Sequence, residues 1–296
     1  MLCTSRFFGT RELPQVDLTE EELQRLANES VKAGLTVPGV QKKLSMHVLE
    51  SGSPRLTIVG YTAGYILKPQ TSEYPCLPEA EDMVMDIAQL MGVRTVPHGL
   101  IDTASGYAYI TKRIDRREDK DGSFSCIAME DFCQLTERPT AEKYKSSYER
   151  CASVIDKYSS MPGIDKAEFF LRLVVSFITG NSDMHLKNFS LVETSPGSRE
   201  YVLSAAYDML PVNLVLPEDK EETALTLCGK RANFRRKDFI AFAESISVPK
   251  KAAENLIDSC LDKTDQALAI CDGSYMTGQM KECFAQLLVE RVARLR

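Results

Sequence analysis

The spacing of apolar residues divides the chain into two parts. Up to about residue 115, short alternating runs predict β-strands in "KLSMHVLESGSPRLTIV", "GYILKP", "TVPHGLID" and "GYAYITKRID". Helices are predicted at "DLTEEELQRLANESVKAG" and "PEAEDMVMDIAQLMG" in this part, and beyond it at about 141–158, 165–180, 236–246, 250–272 and 276–294. We therefore expect an α+β protein with a small sheet-plus-helix lobe and a larger, mostly helical lobe, whose cleft would suit a ligand.

Composition narrows the class of protein. Of the 296 residues, 44% are hydrophobic and 26% are charged, and the net charge of −6 argues against a general nucleic-acid binder. The chain has no apolar run long enough to span a membrane and no apolar signal region at its start, so we expect a cytoplasmic protein. Nine cysteines without a Cys-x-x-Cys pair, and only three histidines, argue against a disulfide framework or a zinc site. A cation held by oxygen ligands stays open.

The segment "ITGNSDMHLKNFSL" carries the densest chemistry. Its first three residues are the end of the run "DKAEFFLRLVVSFITG". That run is apolar nearly all round and predicts a buried helix that ends at Gly180. A buried helix places the following loop rigidly, which suits a catalytic loop. That loop contains Asp183, His185, Lys187 and Asn188. The alternative is a plain turn after a glycine cap.

A second acid follows in "YVLSAAYDMLP", where a strand-like run is predicted to end at Tyr207 and Asp208. Asp183, Asn188 and Asp208 offer hard oxygen atoms. Such a set can hold Mg²⁺ on nucleotide phosphates and still leave one carboxylate free as a base. The alternative for Asp208 is a turn residue before Pro211.

An ion pair is predicted in the first part of the chain. Alternation in "GYILKP" puts Lys68 on the same face as Ile66. In the next helix Glu81 lies in line with Val84 and Ala88, where an unpaired carboxylate would be unfavourable. A strand lysine paired with a helix glutamate is the arrangement by which protein kinases hold nucleotide phosphates. The alternative is that Glu81 only complements the positive end of its helix.

A candidate phosphate loop precedes the first strand. The segment "GLTVPGVQKKLSM" contains Gly34 and Gly39 without the G-x-G-x-x-G pattern, which makes it a weak phosphate motif. Thr36 is its best-placed hydroxyl. The alternative is a solvated loop.

These pieces, in this order, resemble the HipA family of serine/threonine kinase toxins from bacterial toxin–antitoxin systems. The resemblance runs from about Val31 onward and rests on "VPGVQKKLS", "YILKP", "AYITKRIDRR", "MEDFCQL", "GNSDMHLKNFSL" and "YDMLP". It implies a two-lobed, protein-kinase-like fold with an enlarged helical lobe. We accordingly expect an N-terminal helical extension (1–30), an N-lobe with a phosphate-covering loop (31–115), and a helical C-lobe with the catalytic and metal-binding loops (116–296).

The resemblance implies a role for individual positions. Asp183 resembles the catalytic base that accepts the proton of the substrate hydroxyl, and Asn188 and Asp208 resemble the Mg²⁺ ligands. Lys68, with Glu81 as its partner, would contact the phosphates of ATP. The other ATP-binding positions would be Val40, Gln41, Lys112, Arg113, Ile114, Asp115, His185 and Tyr207, with the backbone of residues 112–114 at the adenine edge.

The resemblance also implies regulation and partners. In the family a hydroxyl residue of the phosphate-covering loop is autophosphorylated, which ejects the loop and switches the kinase off; Thr36 has that position here, where many relatives have serine. Full-length members begin with a small subdomain that helps to bind the antitoxin. We expect this chain to be the short form, which it resembles and in which that subdomain is a separate small protein. The expected partners are a HipB-like DNA-binding antitoxin, that small protein, or both. DNA would be reached only through the antitoxin, and the expected substrate is a translation-related protein such as an aminoacyl-tRNA synthetase.

Three functions follow from these observations. The first is an ATP- and Mg²⁺-dependent protein serine/threonine kinase that acts as a growth-inhibiting toxin. The second is a phosphotransferase with a small-molecule acceptor, as in antibiotic kinases of similar architecture. The third is a non-catalytic kinase-like regulatory module, against which the joint presence of Lys68, Asp183, Asn188 and Asp208 argues. Phosphate uptake by a protein, by a metabolite or by neither distinguishes them.

Overall fold

The structure is a computed structural model that describes residues 4–9, 12–16, 43–49, 55–57, 64–104, 106–118 and 124–296. The chain forms two compact units. The sheet unit comprises Met1–Asp82 and Val96–Cys126, and the helical unit comprises Met83–Thr95 and Ile127–Arg296. The domain boundaries expected at residues 30 and 115 stay predictions. The predicted helix before residue 35 and the candidate phosphate loop, with Thr36, Val40 and Gln41, lie outside the described residues.

A five-stranded antiparallel sheet forms the sheet unit. Its order is β2-β1-β3-β5-β4, with β1 at Leu44–Leu49, β2 at Arg55–Thr57, β3 at Tyr65–Pro69, β4 at His98–Thr103 and β5 at Gly106–Lys112. Strands β6 (Arg116–Glu118) and β7 (Phe124–Cys126) pair separately. The predicted strands are confirmed. Alternate side chains of the large sheet bury an apolar core that includes Leu44, Leu67 and Ile110, to which Phe7 of the short helix Thr4–Phe7 adds its ring.

The strand β3 and the helix Leu77–Leu90 carry the predicted ion pair. β3 lies between β1 and β5, and its register sets Lys68 opposite Tyr109. The helix has Pro78 in its first turn and is followed by Gly92 with a φ of +99°, as its sequence predicts. A lysine on an inner strand of the sheet is fixed on both sides by the neighbouring strands.

The helical unit is built on the central helix, Pro162–Thr179. Every residue of that helix from Phe169 to Thr179 is buried, which confirms the prediction from its apolar surface. Gly180 ends it in the left-handed conformation, with a φ of +71°. The loop that follows therefore starts from a fixed point in the core of the unit.

Shorter elements surround the central helix. The helices are Phe132–Leu135, Tyr148–Tyr158, Val212–Val215, Arg236–Ser245, Lys250–Leu261, Thr264–Gly273 and Gly278–Leu295, with 3₁₀ turns at Thr140–Glu142 and Leu186–Asn188. A small antiparallel sheet has the order β10-β9-β8, with β8 at Met129–Asp131, β9 at Ser190–Glu193 and β10 at Tyr201–Leu203. Among the helices described, none is both long and apolar enough to cross a membrane.

Two predicted helices are wrong in their bounds. The helix expected from residue 141 begins only at Tyr148, because Ser147 caps it by accepting a hydrogen bond from the N–H of Arg150 at 3.3 Å. The helix expected over 250–272 is two helices. The hydroxyl of Thr264 donates to the carbonyl of Leu261 at 2.6 Å, and this bond satisfies the end of the first helix where the chain turns.

The strand predicted to reach Tyr207 and Asp208 is also shorter than expected. Strand β10 ends at Leu203. The N–H of Ser204 still donates to the carbonyl of Ser190 in β9 at 2.9 Å, but two residues further on the N–H of Ala206 donates to the carbonyl of Arg94 at 2.7 Å. Asp208 therefore lies in irregular backbone and not at a strand end.

Candidate active site

The ammonium of Lys68 and the carboxylate of Glu81 form an ion pair in the sheet unit. Nζ lies 2.5 Å from Oε1, and the two side chains are 3% and 0% exposed. The predicted pairing is confirmed. Removing either partner would take away a short-range contact that offsets the cost of burying the other charge.

Two aromatic rings lie on the Lys68 side of this pair. Nζ of Lys68 lies 5.1 Å from the ring centroid of Tyr109, its cross-strand neighbour. The ring of His98 stacks on Tyr109 at 5.9 Å between centroids, and its Nδ1 contacts the carbonyl of Val96 at 2.9 Å. Sequence reasoning did not find Tyr109 or His98, although the alternation of β5 alone places Tyr109 on a definite face. These rings restrict the directions in which the lysine can reach.

The segment predicted to meet adenine follows β5. Two of its backbone N–H groups are engaged in the sheet: Lys112 donates to Pro97 at 3.0 Å and Arg113 donates to Gly64 at 2.8 Å. The Asp115 carboxylate accepts two bonds from the Arg113 guanidinium, at 2.9 and 2.7 Å. Although burial alone would raise the pKa of Asp115, the contacts with Arg113 and Arg116 lower it. Asp115 is therefore ionised and held in place.

The loop after the central helix is joined by hydrogen bonds around Asp183. The side-chain amide of Asn188 donates to the Asp183 carbonyl at 2.8 Å, and the N–H of His185 donates to the same carbonyl at 2.8 Å. Asn181 Oδ1 accepts from the N–H of Asp183 at 3.2 Å. The loop thus presents the Asp183 side chain, which is 45% exposed, on a backbone closed by its own contacts.

The carboxylate of Asp183 has two close neighbours in the helical unit. The phenol of Tyr144 donates to Oδ1 at 2.7 Å, and Nε2 of His185 lies 3.9 Å from Oδ2. His185 itself is buried. Tyr144 was not found from the sequence, because the predicted helix over 141–158 covered it and the contact joins positions far apart in the chain.

Asn188 and Asp208 are the two residues predicted to hold a divalent cation. Asn188 donates through Nδ2, so its Oδ1 is the end that can face a cation. Asp208 has a φ of +59°, a left-handed conformation that is unusual for a residue with a side chain and is frequent at functional sites. Hard oxygen atoms are the ligands that Mg²⁺ prefers. Among the described residues, no three or more His, Cys, Asp and Glu side chains form a metal cluster, and the Mg²⁺ role of Asn188 and Asp208 stays a prediction.

Tyr207 joins the Asp208 segment to the loop. Its hydroxyl lies 2.5 Å from Oγ of Ser190 and donates to the carbonyl of Lys187 at 3.1 Å. Burial raises the pKa of Tyr207 well above its ordinary value, so the phenol stays protonated. Lys187 and Ser190, which lie before and after Asn188 in the chain, are in this way connected to Tyr207, the residue that precedes Asp208.

Lys187 pairs with an acid that sequence reasoning left without a role. Its Nζ lies 2.5 Å from Oδ2 of Asp131, while Oδ1 of Asp131 accepts from the N–H of Gln134 at 2.9 Å. The side chain of Gln134 in turn accepts from the N–H of Asp131, which completes a capping box. The spacing of Asp131 and Gln134 in "MEDFCQL" is the signal that could have found it.

Two solved structures have folds similar to that of this chain. HipA from the Shewanella oneidensis toxin–antitoxin system, solved in a complex with HipB and operator DNA, matches with a TM-score of 0.75 and 16% identity, over 91% of this chain and 70% of that one. The Helicobacter pylori proinflammatory kinase CtkA matches with a TM-score of 0.56 and 16% identity, over 85% and 94% of the two chains. The α+β, kinase-like fold expected from the sequence is confirmed.

Two relatives in sequence are named as kinases. "Putative kinase Y4mE" of Sinorhizobium fredii is 28% identical over 242 residues, which cover 79% of this chain and 56% of the relative. "Putative kinase" of Haemophilus influenzae is 24% identical in an alignment that covers 95% of this chain and 88% of the relative. This chain thus spans little more than half the length of the first of these relatives.

The fold of the chain is kinase-like. The sequence profile described as "HipA-like C-terminal domain" matches residues 35–268, and the chain belongs to that family. The resemblance seen in the sequence motifs is confirmed. The roles of the individual site residues stay predictions.

Proposed function

We propose that this chain is an ATP- and Mg²⁺-dependent protein serine/threonine kinase, which acts in the cytoplasm as a HipA-like toxin of a toxin–antitoxin system. The buried ion pair of Lys68 and Glu81 is the observation that carries the proposal. A buried ion pair is weak evidence of stabilisation, since apolar residues of similar volume often serve as well. Kinases use such a pair to hold the phosphates of ATP, which gives it a function.

The helical unit would supply the chemistry of transfer. The Asp183 carboxylate accepts the proton of the acceptor hydroxyl, whose oxygen bonds to the γ-phosphorus of ATP. The bond from that phosphorus to the β,γ-bridging oxygen breaks, and ADP leaves with the electron pair. Asn188 and Asp208 would hold Mg²⁺, which neutralises phosphate charge when bound.

Adenine recognition would fall to one backbone position. The N–H groups of Lys112 and Arg113 are engaged with Pro97 and Gly64. The N–H of Ile114 is therefore the donor that we assign to the adenine edge, with Asp115 held close by.

Mass spectrometry before and after incubation with Mg-ATP tests the proposal. We expect the parent to gain phosphate on Thr36 and Asp183→Asn to gain none while remaining folded. Asp262→Asn, which neutralises an exposed acid of the same unit, should behave as the parent does. Phosphate found only on a metabolite in a cell extract would favour a small-molecule acceptor. Binding of Mg-ATP without any turnover would favour a non-catalytic module.

The proposed partners follow from the family. The Shewanella HipA is solved with HipB and operator DNA, which supports a HipB-like antitoxin here as the link to DNA. The net charge of −6 is consistent with contact to DNA only through such a partner. A separate small protein equivalent to the N-terminal subdomain, and an aminoacyl-tRNA synthetase as substrate, complete the proposal. Transfer to purified synthetases tests the last point.

A further inference from the structure

One tyrosine of the helical unit contacts the predicted base directly. The Tyr144 phenol donates to Oδ1 of Asp183 at 2.7 Å, so one of the two carboxylate oxygens is already engaged. The other oxygen, Oδ2, lies 3.9 Å from Nε2 of His185. Because the Asp183 side chain is 45% exposed, an incoming hydroxyl can still reach it.

The segment that carries the phenol is joined to the catalytic loop at other points. The N–H of Leu186 donates to the carbonyl of Lys143 at 3.2 Å. The ring of Tyr144 meets that of His185 edge-on, with 5.1 Å between centroids. Arg231 donates to the Tyr144 carbonyl at 3.3 Å. The phenol is therefore carried by backbone that is fixed to the loop on which it acts.

The phenol is a hydrogen-bond donor at neutral pH. Burial, the hydrogen bond to Asp183, and the negative charges of Asp183 and Asp219 all raise the pKa of Tyr144 above its ordinary value. A protonated phenol donates a single, directed bond, and a bond to an ionised acceptor is among the stronger hydrogen bonds. Such a bond on one oxygen fixes the direction of the other.

The geometry points to Tyr144 as a positioning residue of the transfer site: its phenol holds Oδ1 of Asp183 and directs Oδ2 to the hydroxyl that accepts phosphate. This inference rests on the proposed function. In the transfer step Oδ2 takes the acceptor's proton, the acceptor oxygen bonds to the γ-phosphorus, and ADP leaves with the electrons of the broken bond. The phenol keeps its own proton throughout and acts through Asp183 alone.

The first test compares Tyr144→Phe with Tyr158→Phe, a control that removes the hydroxyl of a tyrosine of similar exposure in the same unit. Phosphate uptake is followed at limiting and saturating Mg-ATP. We expect the kcat of Tyr144→Phe to fall by about 10- to 100-fold, the range for one hydrogen bond to a charged group, with the KM for ATP unchanged. The control should keep the parental kcat.

The same substitution in an Asp183→Asn background separates positioning from a structural role. The rate compared is the slow residual transfer that long incubation with radiolabelled ATP detects in Asp183→Asn. If the phenol acts through the carboxylate, Tyr144→Phe removes little of that residual rate. Equal losses in both backgrounds would overturn the inference. So would a Tyr144→Phe protein that is as fast as the parent or faster, since the phenol would then be neutral or obstructive.

Fluorine NMR gives a measurement that does not depend on catalysis. In protein labelled with fluorotyrosine, the resonance that Tyr144→Phe removes belongs to Tyr144, and we expect Asp183→Asn to shift it. If the resonance does not shift, the contact between Tyr144 and Asp183 is refuted, whether or not the protein transfers phosphate. A shifted resonance in a parent that transfers no phosphate would count against the proposed kinase function, and with it against a role for Tyr144 in transfer.

Discussion

Lys68 and Glu81 meet at 2.5 Å between Nζ and Oε1 with almost no exposure to solvent. The lysine comes from an inner strand of the sheet and the glutamate from the first half of the helix Leu77–Leu90. Both backbones are rigid, so the pair is fixed by the architecture of the fold and not by two mobile side chains finding each other. A charge at this position would be available to phosphates without prior ordering.

Breaking this pair should destabilise the protein strongly. We expect Glu81→Gln to lower the free energy of unfolding by about 3–5 kcal/mol, because it removes the charge of the carboxylate that the buried ammonium contacts at 2.5 Å. Urea unfolding measures the change. The control is Glu142→Gln, which removes exposed ion pairs to Arg138 and Lys145 and should change stability by less than about 1 kcal/mol. Equal effects of the two substitutions would contradict the importance of burial.

Asp208→Asn should separate function from folding. Asparagine tolerates the left-handed backbone that Asp208 adopts, with its φ of +59°, so the thermal stability should stay close to that of the parent. Loss of the carboxylate charge should reduce phosphate transfer by about 100-fold or more and raise the Mg²⁺ concentration needed for activity. Initial rates across a Mg²⁺ titration give both numbers. An unchanged Mg²⁺ requirement would remove Asp208 from the set of ligands.

Gly180→Ala should destabilise the end of the central helix for two reasons. The φ of +71° disfavours any side chain, and an added Cβ would lie 2.9 Å from Cδ2 of Leu287. We expect a loss of about 1–3 kcal/mol in urea unfolding. Gly197→Ala is the matched control, because its φ of +79° is similar and its Cβ would meet nothing within 4 Å. The difference between the two variants measures the steric contact, and no difference would refute it.

Stability should fall on acidification in a way that depends on Glu222. Burial alone would raise the pKa of this carboxyl, but hydrogen bonds from Arg294 and the N–H of Phe234, and the charge of Arg291, hold it below 4.5. A depressed pKa in the folded state means that the stabilisation is complete above the unfolded value and is lost as the pH falls through the folded value. Parent and Glu222→Gln should therefore differ in unfolding free energy at neutral pH and converge below 4.5. A difference that does not change with pH would exclude the titration of Glu222.

The parts of the fold that the sequence predicts best are those with a strong local pattern. The central helix follows from its continuous apolar run and from Gly180, and both are confirmed. The pairing of Lys68 and Glu81 could be predicted because two periodic elements each left one charge on an apolar face. Such patterns need no knowledge of how distant segments meet.

The parts that were missed depend on contacts between distant positions. Tyr144 reaches Asp183 from a turn that the sequence pattern assigned to a helix, because a Ser147 cap inside a helical pattern is not visible from apolar spacing. The end of strand β10 depends on the backbone bond from Ala206 to Arg94, which no local pattern encodes. At the Tyr144 turn and at the end of β10, hydrogen bonds determine the backbone and override the secondary structure that the local sequence favours.

The last long helix, Gly278–Leu295, is connected to the loop that carries Asp183 by a series of hydrogen bonds. Its Arg291 donates to Oδ1 of Asn213 at 3.1 Å. The backbone N–H of Asn213 donates to the carbonyl of Gly180 at 2.9 Å, and its amide donates to Oγ of Ser182 at 3.4 Å. A shortened protein that stops before Arg291 would lose a support of the acid-bearing loop. Inactivity of such a truncated protein would therefore not show that residues 291–296 carry a catalytic group.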